Sequence, residues 1–136
     1  MRAASRFFAV RGVVRTKLAQ GKKLDPSAWL YVETLKFISL HKRPSMREVA
    51  DYLSITAPSA TSLVRGLMKD GLVERAVSSL DRRTSELSLT KKGKAELAKT
   101  LRRGTKVLAE VFSVLSPKEL EAFTAMLERI RADGEG

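Results

Sequence analysis

Residues 56–69, TAPSATSLVRGLMK, decide the reading of this chain. Ala60, Leu63, Val64, Leu67 and Met68 recur at the three-and-four spacing of one helical stripe, which places them inward. Pro58, Thr61, Ser62, Arg65 and Lys69 share the opposite stripe, small and polar at its start and cationic toward its end. Thr56 supplies a capping hydroxyl, and Pro58 is tolerated in the first turn because its missing N–H would have no helical partner there. Gly71 stands where a helix often ends in a left-handed residue. Hydroxyls and the positive end of a helix dipole at the leading end, with arginine further along, suit a DNA groove. Taken alone, the same pattern also describes an ordinary amphipathic surface helix.

The residues before and after weigh against that plainer reading. Ser45-Met46-Arg47-Glu48 is a capping-box pattern. Met46, Val49, Ala50 and Leu53 then make one apolar stripe, so a short helix ends by Leu53 or Ser54. A turn as brief as Ser54-Ile55 forces the next helix to cross steeply, which is helix-turn-helix geometry. After Gly71 the period changes. LVERAV (72–77) and TSELSLT (84–90) alternate, with SSLDRR between them, and predict a two-stranded hairpin with a basic tip. Helix-turn-helix followed by a hairpin is a winged helix.

The flanks are helical. Residues 4–19 carry Phe7, Val10, Val14 and Leu18 on one stripe, widened by Phe8 and Val13, with Gly12 a weak point. Arg11 and Arg15 interrupt this segment, so it reads as an amphipathic helix and not as a signal peptide. GKKL (21–24) reads as a loop, and Asp25-Pro26 announces a second helix running to about His41. Ala28, Val32, Leu35 and Ile38 form its core stripe. Trp29, Leu30, Tyr31, Phe37 and Leu40 make it apolar nearly all round, which predicts burial on several sides, between two modules or between a module and a partner. Thr90 caps a long helix whose sparse stripe is Leu97, Leu101, Leu108, Val111, Phe112 and Leu115. Its first half is strongly cationic: Lys91, Lys92, Lys94, Lys99, Arg102, Arg103 and Lys106. Those cations either extend a DNA footprint or solvate the helix. Ser116-Pro117-Lys118-Glu119 is a second capping box, and the last helix uses Leu120, Phe123, Met126 or Leu127, and Ile130 before a tail (133–136) that should fray.

Composition narrows the function classes. The 136 residues carry 26 Lys and Arg against 15 Asp and Glu, a net charge of +11, which points to a polyanionic partner. With 43% apolar residues the chain can build a core. The absence of cysteine excludes thiol switches, disulfides and cysteine metal sites, and fits a cytoplasmic location. His41 is the single histidine; beside Lys42 and Arg43 it reads as a solvated residue at a helix C-terminus. No phosphate loop, metal cluster or carboxylate pair in an apolar setting supports an enzyme or a cofactor. No apolar run nears the about 20 residues that span a bilayer.

Leu80-Asp81-Arg82-Arg83 followed by Leu89-Thr90-Lys91-Lys92-Gly93 resembles the DRR…LTxxG signature of MarR-type winged-helix regulators. The spacing from Pro58 to residues 69–73 and the order of elements are similar to that family too. The resemblance implies a mainly α fold with a small β-hairpin. The winged helix-turn-helix would take residues 25–104, its wing about 72–90, and dimerisation helices would take 1–24 and 105–136. It also implies a homodimeric, cytoplasmic transcription regulator, commonly a repressor, that binds an inverted repeat in double-stranded DNA and is released by a small, often phenolic, effector. Carried over by position, Pro58, Ser59, Thr61 and Ser62 would lie in the major groove, with Arg65 and Lys69 further along. Asp81 would orient Arg83 for the minor groove, and Arg82 would meet phosphate. Ser45, Arg47 and Thr56 complete the expected DNA contacts. The major-groove positions hold small hydroxyls, so direct base readout from them should be modest. An effector pocket would lie near Arg11, Trp29 and Phe37, although each of these also reads as core or surface. The competing reading is a basic protein that coats DNA without sequence preference; a membrane-surface role for the first helix is a further alternative.

Overall fold

The computed structural model describes residues 1–20, 27–77 and 85–134. Among these, six helices and one hairpin follow in order: α1 (Arg2–Ala19), α2 (Ala28–Leu40), α3 (Met46–Leu53), α4 (Ala57–Lys69), β1 (Val73–Val77), β2 (Ser85–Leu89), α5 (Lys91–Phe112) and α6 (Pro117–Gly134). The chain divides into two units, Lys23–Arg102 and Met1–Lys22 with Arg103–Gly136. Asp25-Pro26, the 21–24 loop and the tip 78–84 lie outside the described residues.

The 23–102 unit is built on local signals that its sequence carries openly. Ser45 accepts the Glu48 N–H at 3.2 Å while the Glu48 carboxylate accepts the Ser45 N–H at 2.6 Å, so the box starts α3 as its pattern predicts. Ser54 ends α3 in a left-handed conformation, and the Ile55 N–H reaches back to the Ala50 carbonyl at 3.1 Å. Thr56 then caps α4. The apolar stripes of α3 and α4 meet over Val49, Leu53, Val64 and Leu67, and Leu35 and Ile38 of α2 and Leu87 of β2 close the core. Thr34 is also fully buried, its hydroxyl donating to the Leu30 carbonyl at 2.6 Å.

The hairpin pairs antiparallel with Val73 opposite Leu89, Arg75 opposite Leu87 and Val77 opposite Ser85. Val73, Leu87 and Leu89 are buried, while Arg75 and Val77, on the same side of β1 as Val73, are exposed. β2 is bonded on its other side as well: the Leu87 N–H donates to the carbonyl of buried Pro44 at 2.9 Å, and Ser45 bridges Glu86. The approach to α3 is thus stitched to the wing.

Gly71, at φ 73°, turns the chain out of α4. Thr90 binds this turn from the far end of the hairpin. Its hydroxyl donates to the Gly71 carbonyl at 2.6 Å and accepts the Gly93 N–H at 2.9 Å, and its own N–H donates to the Leu72 carbonyl at 3.1 Å. The Lys92 ammonium meets the Asp70 carbonyl at 2.7 Å. A Cβ on Gly93 would lie 2.0 Å from the Leu72 carbonyl oxygen, so only glycine fits where α5 begins.

Three expectations need correction. Met68 is not inward; it is 37% exposed, because the buried stripe of α4 is the narrower set Ala60, Val64 and Leu67. α2 is not buried on several sides within this chain: Thr34, Leu35, Phe37 and Ile38 are buried, while Trp29 is 59% and Leu40 78% exposed. The helix α6 continues through Asp133 and Gly134, where fraying was expected.

The other unit has little interior. α1 and α6 bury no residue, and Val107 is its one buried residue among those described. Phe112 and Phe123 meet edge to face at 5.2 Å, and the Arg103 guanidinium donates to the Leu18 carbonyl. The Ser116–Glu119 box is formed, with the carboxylate accepting from both the N–H and the hydroxyl of Ser116. Phe7, Phe8, Val10, Val13 and Ile130 remain exposed.

Candidate nucleic-acid interface

The α4 helix presents two faces with different fates. Ala60, Val64 and Leu67 sink into the core, and Pro58, Ser62, Arg65 and Lys69 stand on the opposite side, all exposed. Gly66 lies beside Tyr31 of α2, where a Cβ would meet the phenol oxygen at 3.7 Å, so the helix is held close along one flank. This packing fixes the outward face as a rigid body.

The hydroxyls on that helix are not equivalent. Thr56 donates to the Ser59 hydroxyl oxygen at 2.9 Å and accepts the Ser59 N–H at 3.3 Å, so it is spent on capping. Thr61 is half-buried and donates to the Ala57 carbonyl at 2.9 Å. Ser59 keeps its own proton for an outside acceptor. Ser62, Arg65 and Lys69 have no hydrogen bond or ion pair among the described residues. The first turn of α4 carries no acidic residue, which leaves its dipole free to attract an anion.

Ser45, also expected at the interface, is half-buried and committed to the α3 cap. The Ser45 backbone N–H first, and its hydroxyl second, hold the Glu48 carboxyl below its ordinary value of 4.5. Arg47, the second residue of α3, is exposed and unpaired among the described residues. Asp81, Arg82 and Arg83 lie outside the described residues. At the base of the hairpin stand two cations that the sequence pattern did not single out. Arg75 donates to the Ser85 hydroxyl at 2.6 Å, and Arg43 pairs with Glu86 at 3.4 Å. Arg75 was legible as the polar partner of Leu87 in the strand alternation; Arg43, held at φ 51°, left no pattern.

The three residues named for an effector fare differently. Phe37 is buried, stacked between His41 at 4.0 Å and Tyr52 at 4.4 Å, and has no free face. His41 places Nδ1 2.9 Å from the Phe37 carbonyl, which requires the proton on Nδ1 if the ring is neutral. Trp29 opens onto a surface groove of about 420 Å³ with Glu33, Tyr52 and Leu53. There the Tyr52 hydroxyl donates to Glu33 at 3.0 Å, and that carboxylate raises the tyrosine pKa above its usual 10.0. Arg11 belongs to the other unit and lies over the Phe8 ring at 5.6 Å. No cluster of three or more metal-ligating side chains occurs among the described residues, and no helix there is long and apolar enough to cross a membrane.

This arrangement has relatives. A family model described as the MarR family matches residues 26–84. The chain is 31% identical over 121 residues to the HTH-type transcriptional repressor YetL of Bacillus subtilis, covering 89% of this chain; it spans 65% of that protein's length. Among solved structures, Streptococcus pneumoniae FabT in complex with DNA superposes with a TM-score of 0.75 at 20% identity, over 98% of this chain and 96% of that one. Wild-type apo MarR from E. coli gives 0.75 at 18% identity, over 93% and 94%. The mainly helical fold with its single hairpin is shared with these solved structures, and over residues 26–84 the chain is similar to the MarR family.

Proposed function

We propose that this chain is a transcriptional regulator that binds double-stranded DNA with α4 in the major groove, as a homodimer on an inverted-repeat operator. The observation that carries the reading is the outward stripe of α4, polar and cationic, lacking internal partners among the described residues and backed by a fully buried stripe. A helix held so firmly offers its side chains in one geometry, which sequence-specific contact requires. Repressor YetL and the DNA-bound FabT lend support. On this reading the net charge of +11 supplies phosphate attraction, and Asp81, Arg82 and Arg83 would reach the minor groove from the wing.

The dimer follows from two considerations. One reading helix covers few base pairs, and two on a common body roughly sum their discrimination at a separation of about 34 Å, one duplex turn. The 1–22 and 103–136 unit supplies the adhesive surface in its exposed Phe7, Phe8, Val10, Val13 and Ile130. A small aromatic effector that releases DNA is part of the reading. Its support is the Trp29 groove, with Tyr52 and Glu33 as polar contacts and Phe37 only as backing.

The test is to select bound duplexes from a random pool and compare the winner with unrelated duplex at physiological salt. A palindromic winner bound at least about 10³-fold more tightly is expected for a specific regulator. Equal affinity for both would replace this reading by sequence-indifferent coating.

A further inference from the structure

The outward face of α4 offers several hydroxyls and two cations as candidates for reading sequence. The hydrogen bonds of the helix narrow that choice. Thr56 has its proton on Ser59 and one lone pair on the Ser59 N–H, and Thr61 has its proton on Ala57. Ser59 and Ser62 keep a free O–H, but a hydroxyl donates or accepts by rotating and so matches almost any base edge. Pro58 offers only an apolar surface. Discrimination by hydrogen bonding therefore falls to the long side chains of the outward stripe, Arg65 and Lys69.

These two differ in chemistry and in place. Arg65 follows Ser62 by three residues on the same face, in the middle of the helix, with Ser62 and Lys69 exposed on either side of it and no partner among the described residues. Its planar fork matches the O6 and N7 acceptors of one guanine at once. Lys69 is the last residue of α4, a rotatable point charge suited to phosphate. We infer that Arg65 is the principal specificity residue of this chain, reading one guanine in each half-site, while Lys69 contributes affinity without sequence preference. The inference rests on the DNA-binding reading above.

The experiment measures wild type, Arg65→Ala, Arg65→Lys and Lys69→Ala against the selected operator and a panel with every base pair of one half-site changed singly. Titrations run at low salt, so that weakened variants still bind. Wild type should lose about 10- to 100-fold on replacing one G·C pair. Arg65→Ala should be indifferent to that replacement and unaltered in its preferences elsewhere. Arg65→Lys should keep more affinity than Arg65→Ala yet discriminate poorly at the same position, because an ammonium lacks the bidentate fork. Lys69→Ala should weaken binding evenly across the panel and lower the salt slope by about 1. If Arg65→Ala instead lowers affinity evenly and keeps the wild-type base preferences, Arg65 is a phosphate contact and the inference fails while the DNA-binding reading stands. If wild type selects no sequence, both fall.

Discussion

The two units of this chain bury their apolar residues to opposite extents. In the 23–102 unit, Val49, Ala60, Val64, Leu67 and Leu87 are almost wholly out of water, and each apolar stripe meets another. In the unit formed by 1–22 and 103–136, two helices of 18 residues bury nothing, and Phe7 and Ile130 are each about two-thirds exposed. Fully burying a side chain of this size contributes about 1.5–3 kcal/mol. The winged unit therefore completes its core within one chain, whereas the flanking helices leave that free energy unrealised, and on the proposed reading a second copy supplies it. On that reading specificity belongs to the self-sufficient unit and assembly to the other.

The glycine at the entry to α5 is the sharpest way to break the complete unit. A methyl group on Gly93 would have to displace the Leu72 backbone carbonyl, which already accepts the Thr90 N–H. Gly93→Ala should cost about 4 kcal/mol or more, at the exceptional end for single substitutions. Thermal unfolding followed by circular dichroism measures it, on a scale of about 4–8 °C per kcal/mol for domains this size. A melting temperature within about 2 °C of wild type would mean the α4–β1 turn is far softer than its hydrogen bonds imply.

The incomplete unit is tested by charge. Phe8→Glu together with Ile130→Glu should shift dimer dissociation upward by about 100-fold or more, at the roughly 1–3 kcal/mol expected for each apolar anchor removed from the middle of an interface. Sedimentation velocity would report monomer at micromolar concentration, with the helical signal of the winged unit intact. Unchanged sedimentation would move the adhesive surface elsewhere, Trp29 and Leu40 being the next candidates.

Much of the complete unit was legible because its determinants are local. The box at 45–48, the Thr56 cap and the alternation that sets Val73 against Leu89 each act within a few residues or a single strand pair. What escaped depended on distance or rotamer. An all-round apolar helix such as α2 does not reveal which of its sides this chain covers, so its pattern alone puts Trp29 and Leu40 inside. Whether Thr61 faces outward or bonds back to Ala57 is a rotamer choice. Leu89, Thr90 and Gly93 entered as part of a signature shared with DNA-contacting residues. The hydrogen bonds of Thr90 and the fit of Gly93 against Leu72 give the latter half of that signature a structural task, the clamping of hairpin to α4.

A milder contrast compares the two capping boxes, one in each unit. Both carboxyls, Glu48 and Glu119, are held below the ordinary value of 4.5 by the serine N–H and hydroxyl. A carboxyl depressed in the folded chain contributes stability that is complete above its unfolded value and is lost as pH falls through the folded one. Ser45→Ala should therefore cost about 1 kcal/mol at pH 7. The deficit should shrink below pH 4.5, since wild type loses its own carboxylate cap there. A deficit unchanged between about pH 7 and pH 3 would mean that the serine, and not the charged box, carries the stability.

The smallest expected effect returns to α5, which holds a second glycine. A Cβ at Gly104 meets nothing within 4 Å, in contrast to the collision at Gly93 on the same helix. Gly104→Ala should remove backbone freedom from the unfolded chain and stabilise the protein by about 0.5–1 kcal/mol. The sign of that change also reports on assembly. If the second copy packs its backbone against this turn, the added methyl would weaken dimerisation even as it favours the helix. The melting temperature would then rise with protein concentration less steeply in the variant than in wild type around micromolar concentration, because less of the variant is assembled there. Parallel concentration dependence in the two proteins would place Gly104 outside the dimer contact and leave α1 and α6 as its main surface.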